Sequence, residues 1–462
     1  MRRCRRGRIR QALDDLPSTL DATYERTLLD IDDQNWEYAH RLFQCITVAS
    51  RPLRVEELAE FLAFDFDDEE NPKFEAKWRE DDPEDAVLST CSSLIAVIKV
   101  GENAVVQFSH FSVKEFLTSN RVARGRVSRY YIPLEPAHLT MARTCLTLLL
   151  SLDGSVDRAA IKDIPLASYA VRYWVGHAKF ENVSLHARDA MQRLFDPNEP
   201  HFSTWTRLEN HREWKLIPET LPAPRYPPLH RAMRDDLHDI ASWLITSRSQ
   251  DPDELNGRDT LLYNASDRGN LKAAQLLIEH GADVNAQCSM DLRPLHKASS
   301  NGHLEISRLL IGNGANINAQ ANLGSTALNL ASGKGQLEVV RLLLEKDADP
   351  NLASRFGAPL DHALRNNHLE VARLLLEYGA DINARDKYGS TLLHQATLRA
   401  DERTVQWLLE RGANIHATDN KGKTPLQIAS ASALETPSEK RKDIVLLLQR
   451  SAEGSSAPVD RR

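Results

Sequence analysis

The chain of 462 residues is short of most features that would mark an enzyme, a membrane protein or a secreted scaffold. Cysteine is scarce. Cys4, Cys45, Cys91, Cys145 and Cys288 are odd in number and widely scattered, with no CxxC and no zinc-ligand spacing. That scatter argues against a disulfide framework and fits reduced intracellular thiols. No stretch approaches the ~20 consecutive apolar residues that a membrane helix requires. No apolar run follows the basic start Met1-Arg2-Arg3-Cys4-Arg5-Arg6, so no secretory signal is read there. A cytoplasmic location is expected, with the nucleus as the alternative. Charge of one sign is lacking too: 58 basic against 65 acidic residues leave a net −7, with no overall pull toward nucleic acid. The 16 histidines include no HExxH and no close His/Cys cluster, so no metal is expected. No Ser/His/Asp or paired-carboxylate arrangement stands out, and neither catalysis nor a cofactor is expected.

What is present is repetition. The phrase Pro228-Leu229-His230-Arg231-Ala232 returns as LLYNA, PLHKA, ALNLA, PLDHA, LLHQA and PLQIA, beginning at Leu261, Pro294, Ala327, Pro359, Leu392 and Pro425. The steps are 33, 33, 33, 32, 33 and 33 residues, a period that marks a stack of like units rather than one globular core. Thr326, Thr391 and Thr424 precede the phrase and suit helix N-caps. Proline at the next position loses only an N–H that would be unpaired anyway. Asn301-Gly302 predicts the end of a first helix, 304–311 a second, and Gly314 its stop; Gly281, Gly379 and Gly412 recur at that place.

These residues resemble the ankyrin repeat, with T-P-L-H-x-A, then a G-H-x-x-x-x-x-L-L stretch, then G-A-D-x-N. The resemblance covers about half the chain. It implies paired antiparallel helices with a projecting hairpin at each junction, and a stacked core through Leu276, Leu309, Leu342 and Leu374. Three departures stand out. The 32-residue step loses a residue between Asn351 and Ala358, expected in the hairpin. Asp347 replaces the stopping glycine, and the first repeat ends only in Ser249-Gln250-Asp251-Pro252-Asp253. The last repeat carries an insert over 432–442 before a second helix expected at 443–449.

In the N-terminal half, helices are expected over 11–33, 36–49 and 55–62, and an exposed acidic loop over 65–85. A hairpin turning at Gly101-Glu102-Asn103 follows, then a helix opened by a capping box at Ser112–Glu115. That order is winged-helix-like. The phrases LPSTLDATYERTL, SRPLRVEELAEFLAFD, FSHFSVKEFLTS, AHLTMARTCLTLLL and PLASYAVRYWVGHA are similar to the segment that follows the nucleotide-binding NACHT domain in fungal NACHT–ankyrin proteins. The resemblance implies a nucleotide domain before residue 1, so NTPase activity does not transfer to this sequence. A fragment, or a descendant that kept the regulatory and recognition halves, is expected. His110 resembles a structural histidine of that family.

The fold class expected is mainly α: a basic arm over 1–10, a winged-helix-like module over 11–150, a helical adaptor over 151–225, seven ankyrin repeats over 226–450 and a disordered tail over 451–462. In the adaptor, Tyr169, Tyr173, Trp174 and His177 share a face, followed by Phe195, Phe202, Trp205 and Trp214; prolines over 221–228 stiffen the entry to the repeats.

Three constellations compete with this plain reading. The stretch 417–424, ATDNKGKT, approaches the GxxxxGK[ST] phosphate loop, but it falls on a hairpin tip and carries Asp419. A winged helix can place its third helix in DNA, and 55–61 is assigned that role. Its Glu56, Glu57 and Glu60 oppose phosphate, so nucleic acid is not expected. A nuclear regulator using that helix and the arm (Arg2, Arg3, Arg5, Arg6, Arg8, Arg10) is the alternative function. His230, His296 and His394 hold the repeat's fixed histidine position, which hydrogen bonding to a neighbouring helix start explains.

Counting back three from each repeat opening gives Met290, Leu323 and Tyr388, with Phe356 equivalent after the deletion. In the family's geometry these tips lie about 10 Å apart. Either they fold back on the adjacent hairpin, or, with a first-helix face of Asn264, Lys297, Asn329, His362 and Gln395, they hold a protein partner. The function expected is protein–protein recognition by a monomeric scaffold through the concave and hairpin-tip surface, as the regulatory and sensing part of a NACHT–ankyrin-type signalling protein.

Overall fold

A computed structural model of the chain describes residues 20–66, 68, 72–91, 93–101, 103–152, 163–209, 226–255, 257–386, 388–435 and 438–455. The basic arm, Trp214 and the prolines over 221–225 lie outside them. The chain divides into two compact units, Met1–Gln250 and Asp251–Arg462.

The first unit opens with helices Leu20–Leu29 and Trp36–Val48, strand β1 (Leu53–Arg54), helix Val55–Ala59 and a 3-10 turn Glu60–Ala63. Strands β2 (Phe64–Asp65) and β3 (Lys73–Phe74) pair with each other. Helix Pro83–Cys91 precedes β4 (Ile95–Val100) and β5 (Asn103–Phe108), the expected hairpin, and the sheet runs β1-β5-β4, all antiparallel. Alternation decides which side is buried: Ile95 and Val106 face the core with Leu42, Phe43, Leu58 and Val87. The stretch expected as an exposed loop therefore contains a small hairpin and a helix. Asp82 accepts the amides of Glu84 and Asp85 (3.0 and 3.1 Å), and proline holds the helix's first position. The next helix is Phe111–Leu117, and its cap is His110, accepting from Ser112 N at 3.3 Å, rather than Ser112 itself.

Helices Leu134–Ser151, Ala167–Ala178, Arg188–Phe195 and His201–Glu209 complete this unit's core. Tyr169, Trp174 and His177 are buried, and Trp205 meets Trp174, Phe195 and Phe202 edge to face, as Trp174 meets Phe195. Glu57 and Glu60, read from the sequence as carboxylates that would oppose phosphate, are buried. Arg51 forks onto Glu57 (2.7 and 2.6 Å), and Arg54 N and Ser168 Oγ donate to it at 2.9 and 3.1 Å. Glu60 accepts from Leu166 N at 2.7 Å and pairs with Arg79. Burial is the largest influence on both carboxyls and pushes them up; at Glu57 the Arg51 fork, the Arg54 amide and the charges of both arginines together outweigh it and hold the group below the usual range, whereas Glu60 stays raised. The first repeat's helices, Pro228–Arg234 and His238–Arg248, belong to this unit. Buried Arg231 pairs with Glu209 and Asp235 and lies over Trp205 at 4.2 Å.

The second unit is a series of helix pairs: Leu261–Arg268 with Leu271–Glu279, Pro294–Asn301 with Leu304–Gly312, Ala327–Lys334 with Leu337–Glu345, Pro359–Arg365 with Leu369–Glu377, and Leu392–Leu398 with Glu402–Glu410. Thr260 and Asn270 cap by accepting from Tyr263 N and Ala273 N. Gly281, Gly314, Gly379 and Gly412 stop second helices at φ between 80° and 89°, and Asp347 and Ser249 adopt the same left-handed turn. The most deeply buried column is Leu277, Leu310, Leu343, Leu375 and Leu408, one residue beyond the expected one; Leu276 and Leu309 are only half-buried. In the last repeat both helices lengthen, to Pro425–Glu435 and Glu439–Ser455, and take up most of the expected insert.

One side chain fastens each junction of this series. Asn285 donates to Gly314 O (3.0 Å) and accepts from Asn316 N (2.8 Å). Asn318 and Asn351 repeat the pair of bonds onto Asp347 and Asp349, and onto Gly379 and Asp381. Asn383 accepts from Asn414 N at 2.7 Å. Asp253 fills that place at the head of the series, its two oxygens accepting from Asp283 N at 3.1 and 3.0 Å. The first repeat, whose ending lacks the G-A-D-x-N motif, thus keeps the accepting half of the motif's bonding with a carboxylate.

Candidate functional site

Turn geometry builds the hairpin tips. Cys288 N bonds Leu292 O, Ala321 N bonds Ser325 O, Asp386 N bonds Ser390 O and Asp419 N bonds Lys423 O, at 2.8 to 3.0 Å. In the fifth repeat Ser354 N instead bonds Gly357 O at 2.9 Å, a turn one residue shorter, so the missing residue of the 32-residue step falls in the hairpin. Met290, Leu323, Phe356 and Tyr388 stand at these tips with 65, 44, 52 and 63% of their surface exposed. Met290 and Leu323 also hold left-handed backbone, φ 60° and 63°, a conformation unfavourable for side chains with a Cβ. Neighbouring tips touch through the main chain: Arg355 N donates to Leu323 O at 2.8 Å and Asn420 N to Tyr388 O at 2.9 Å. Ser289 N reaches Asp259 Oδ1 at 3.1 Å.

Of the first-helix face, Asn264, Lys297, His362 and Gln395 are half-buried and locally engaged. Lys297 pairs with Asp267 at 3.0 Å and lies over the Tyr263 ring. His362 meets Ser354 Oγ at 3.0 Å, and Gln395 accepts from Arg365 at 2.7 Å. Asn329 does not belong to this face. It is buried, its Oδ1 accepting from Thr326 N (2.9 Å) and its Nδ2 donating to Leu352 O (3.3 Å). The residue equivalent to Lys297 is Leu330, half-buried beside it.

Asn329 in fact stands at the fixed histidine position. His296 Nδ1 accepts from Arg293 N (3.1 Å) and its Nε2 donates to Ala319 O (3.0 Å). His394 bonds Thr391 N and Lys423 O in the same way. Burial lowers the His296 pKa to about 4, which keeps the ring neutral, as one acceptor and one donor nitrogen require. These histidines are capping groups.

The phosphate-loop-like stretch is the seventh repeat's hairpin. Asp419 Oδ1 accepts from Lys421 N and Lys423 N, both at 2.9 Å, and fills the nest that a phosphate would need. The amide of Lys423, foremost, holds that carboxyl below its usual range. In winged-helix order, the helix before the hairpin is Pro83–Cys91, not 55–61; it packs against Val55–Ala59 and carries Glu84 and Asp85 with no Lys or Arg. It is poorly charged for phosphate contacts. Among the described residues, no group of His, Cys, Asp and Glu could hold a metal ion, and no helix is long and apolar enough to cross a membrane.

Comparison with known proteins agrees with this geometry. Residues 229–321 and 295–386 match the family described as ankyrin repeats (3 copies), and 399–433 match ankyrin repeats (many copies). Residues 25–132 match the winged helix domain of GPI inositol-deacylase. A Monascus ruber protein, azaphilone pigments biosynthesis cluster protein L, is 30% identical over 296 residues, covering 59% of this chain and 61% of that protein. The chain thus spans about three fifths of that relative's length. Among solved structures, the ankyrin repeat domain of Bcl-3, a member of the IkappaB protein family, aligns with 28% identity and a TM-score of 0.42, covering 47% of this chain and 97% of that one. The chain carries ankyrin repeats behind a winged-helix domain of the deacylase type.

Proposed function

We propose that the ankyrin tip row binds a protein partner, and that the first unit is the regulatory part of a NACHT–ankyrin-type signalling protein working in the cytoplasm as a monomer. The chain is a recognition scaffold and not an enzyme. The observation that carries this reading is the row itself: four large apolar side chains at one count of successive repeats, all exposed, two of them on unfavourable backbone. Exposed apolar rows mark binding surfaces, and aromatic anchors such as Tyr388 dominate interface energy. The winged-helix match at 25–132, in the position the NACHT–ankyrin resemblance gives it, supports the regulatory part.

The test is the full chain carrying Leu323→Ser, Phe356→Ser and Tyr388→Ser together, used as bait in source lysate. Loss of the retained protein with thermal unfolding nearly unchanged supports the reading. An equal loss of stability would mean the tips serve packing alone. Cross-linking addresses the regulatory assignment: links from residues 20–209 to a nucleotide-binding polypeptide support it, and links from the repeats alone remove it.

A further inference from the structure

The tip row carries a charge pattern as well as an apolar one. Arg258, Arg355, Arg385, Lys421 and Lys423 lie on the tips or their flanks, are exposed, and make no ion pair among the described residues. Lys421 occupies the same count in the seventh repeat that Leu323 and Tyr388 occupy in theirs. The carboxylates beside these cations are turned onto backbone: Asp259 onto Ser289 N, Asp386 onto Tyr388 N (2.8 Å) and Ser390 N (2.9 Å), and Asp419 onto its own turn. Asp291 alone among the tip acids stands exposed without such a bond in the described turns. On the second helices the pattern differs, because Glu305–Arg308, Glu338–Arg341 and Glu370–Arg373 neutralise one another within a turn. In a chain of net charge −7, exposed cations thus outnumber exposed carboxylates on the tips beside the apolar row.

We infer that the partner is an acidic polypeptide segment with apolar side chains, laid along the tips so that its carboxylates meet these cations while its apolar groups cover Met290, Leu323, Phe356 and Tyr388. This rests on the tip row being the binding surface, as proposed above. A nucleic acid fits less well. Two of the four apolar residues are aliphatic and offer no ring for a base to stack on, and the turn N–H nests are already filled by Asp386 and Asp419. Complementary charge would govern the association rate and select against basic partners.

The experiment is fluorescence anisotropy on the full chain with three probes: a synthetic peptide of alternating Glu with Leu and Phe, the same peptide with every Glu replaced by Lys, and oligo(dT). Binding of the acidic peptide alone, weakened by salt, is expected. Arg355→Glu with Lys421→Glu should weaken it about ten-fold or more, each factor of ten being ~1.4 kcal/mol, with thermal unfolding unchanged. Equal binding of the lysine peptide overturns the inference, as does preference for oligo(dT). The lysate partner then separates the two readings. If the triple serine variant loses it and the charge-reversed variant keeps it, the surface stands and its acidic ligand class falls. If neither variant loses it, both fall.

Discussion

Arg355 N donates to the carbonyl of Leu323 at 2.8 Å, tying the tip of one repeat to the tip of the next. The bond holds Leu323 where its backbone is left-handed and its side chain is exposed. Left-handed geometry costs a residue with a Cβ roughly 1–2 kcal/mol, and glycine would remove that cost while adding about 0.5–1 kcal/mol of chain entropy to be lost on folding. Leu323→Gly is therefore expected to leave urea-induced unfolding within about 1 kcal/mol of the parent, while weakening partner capture. A loss typical of a core leucine, about 2–5 kcal/mol, would show that the side chain packs against the array.

A second prediction concerns acid. His296 is neutral in the fold, with a pKa of about 4 against an ordinary 6.5. The unfolded chain takes its proton first, so His296 lowers stability progressively as pH falls from 6.5 toward 4, and no further below. The full effect is on the order of 3 kcal/mol. Asn329 performs the same bonding without a titrating ring. His296→Asn should unfold like the parent at neutral pH and lose less stability on acidification. His40 and His177, lowered by burial to about 4 and 3, keep a slope in both proteins. The difference between variant and parent across denaturation curves is the quantity to measure; parallel curves would exclude His296 from the effect.

Asp253 offers a gain. Burial raises its pKa, and it lacks the donor that Asn285 and Asn351 turn onto the next repeat's glycine carbonyl. Asp253→Asn removes a penalised charge and restores that donor, for about 0.5–1.5 kcal/mol at neutral pH. The advantage shrinks in acid, where the parent's carboxyl is protonated and the penalty is already gone. Melting curves at two pH values decide it; an unchanged or lower midpoint at neutral pH contradicts the account.

The Glu57 cluster should be fragile. Glu57→Ala strands the Arg51 guanidinium and leaves Ser168 Oγ without its acceptor, for about 3–5 kcal/mol, the cost of breaking a buried pair. Cys45 and Cys145 lie in the same core and are buried. Faster labelling of these thiols in Glu57→Ala than in the parent is the expected readout, and unchanged labelling would show that the pair carries little of the core's stability.

Much of this was legible because repetition advertises itself. The period of about 33 residues fixed helix starts, glycine stops and tip positions, and a deletion could be placed in a hairpin from one short step. The wing hairpin was equally plain from two apolar runs around Gly101. Acidity hides helix Pro83–Cys91 in the sequence, although Asp82-Pro83-Glu84-Asp85 is a cap, a first-position proline and an acidic first turn. The burial of Glu57 and Glu60 was not legible, because Ser168 Oγ and Leu166 N, which help to satisfy them, lie more than a hundred residues away. Within the site, alignment of the motif copies would have placed Leu330, not Asn329, beside Lys297. ALNLA lies in register with PLHKA residue for residue, which puts Asn329 at the histidine position.

The asparagines that join successive hairpins give the array a set of built-in gauges. The amides of Asn316, Asp349, Asp381 and Asn414 each lie on exposed residues, yet each is held by a side chain from the repeat before it. Their hydrogens should exchange slowly only while that junction is closed. Four signals therefore report four junctions separately, and partner binding or a destabilising substitution can be located to a single step of the stack.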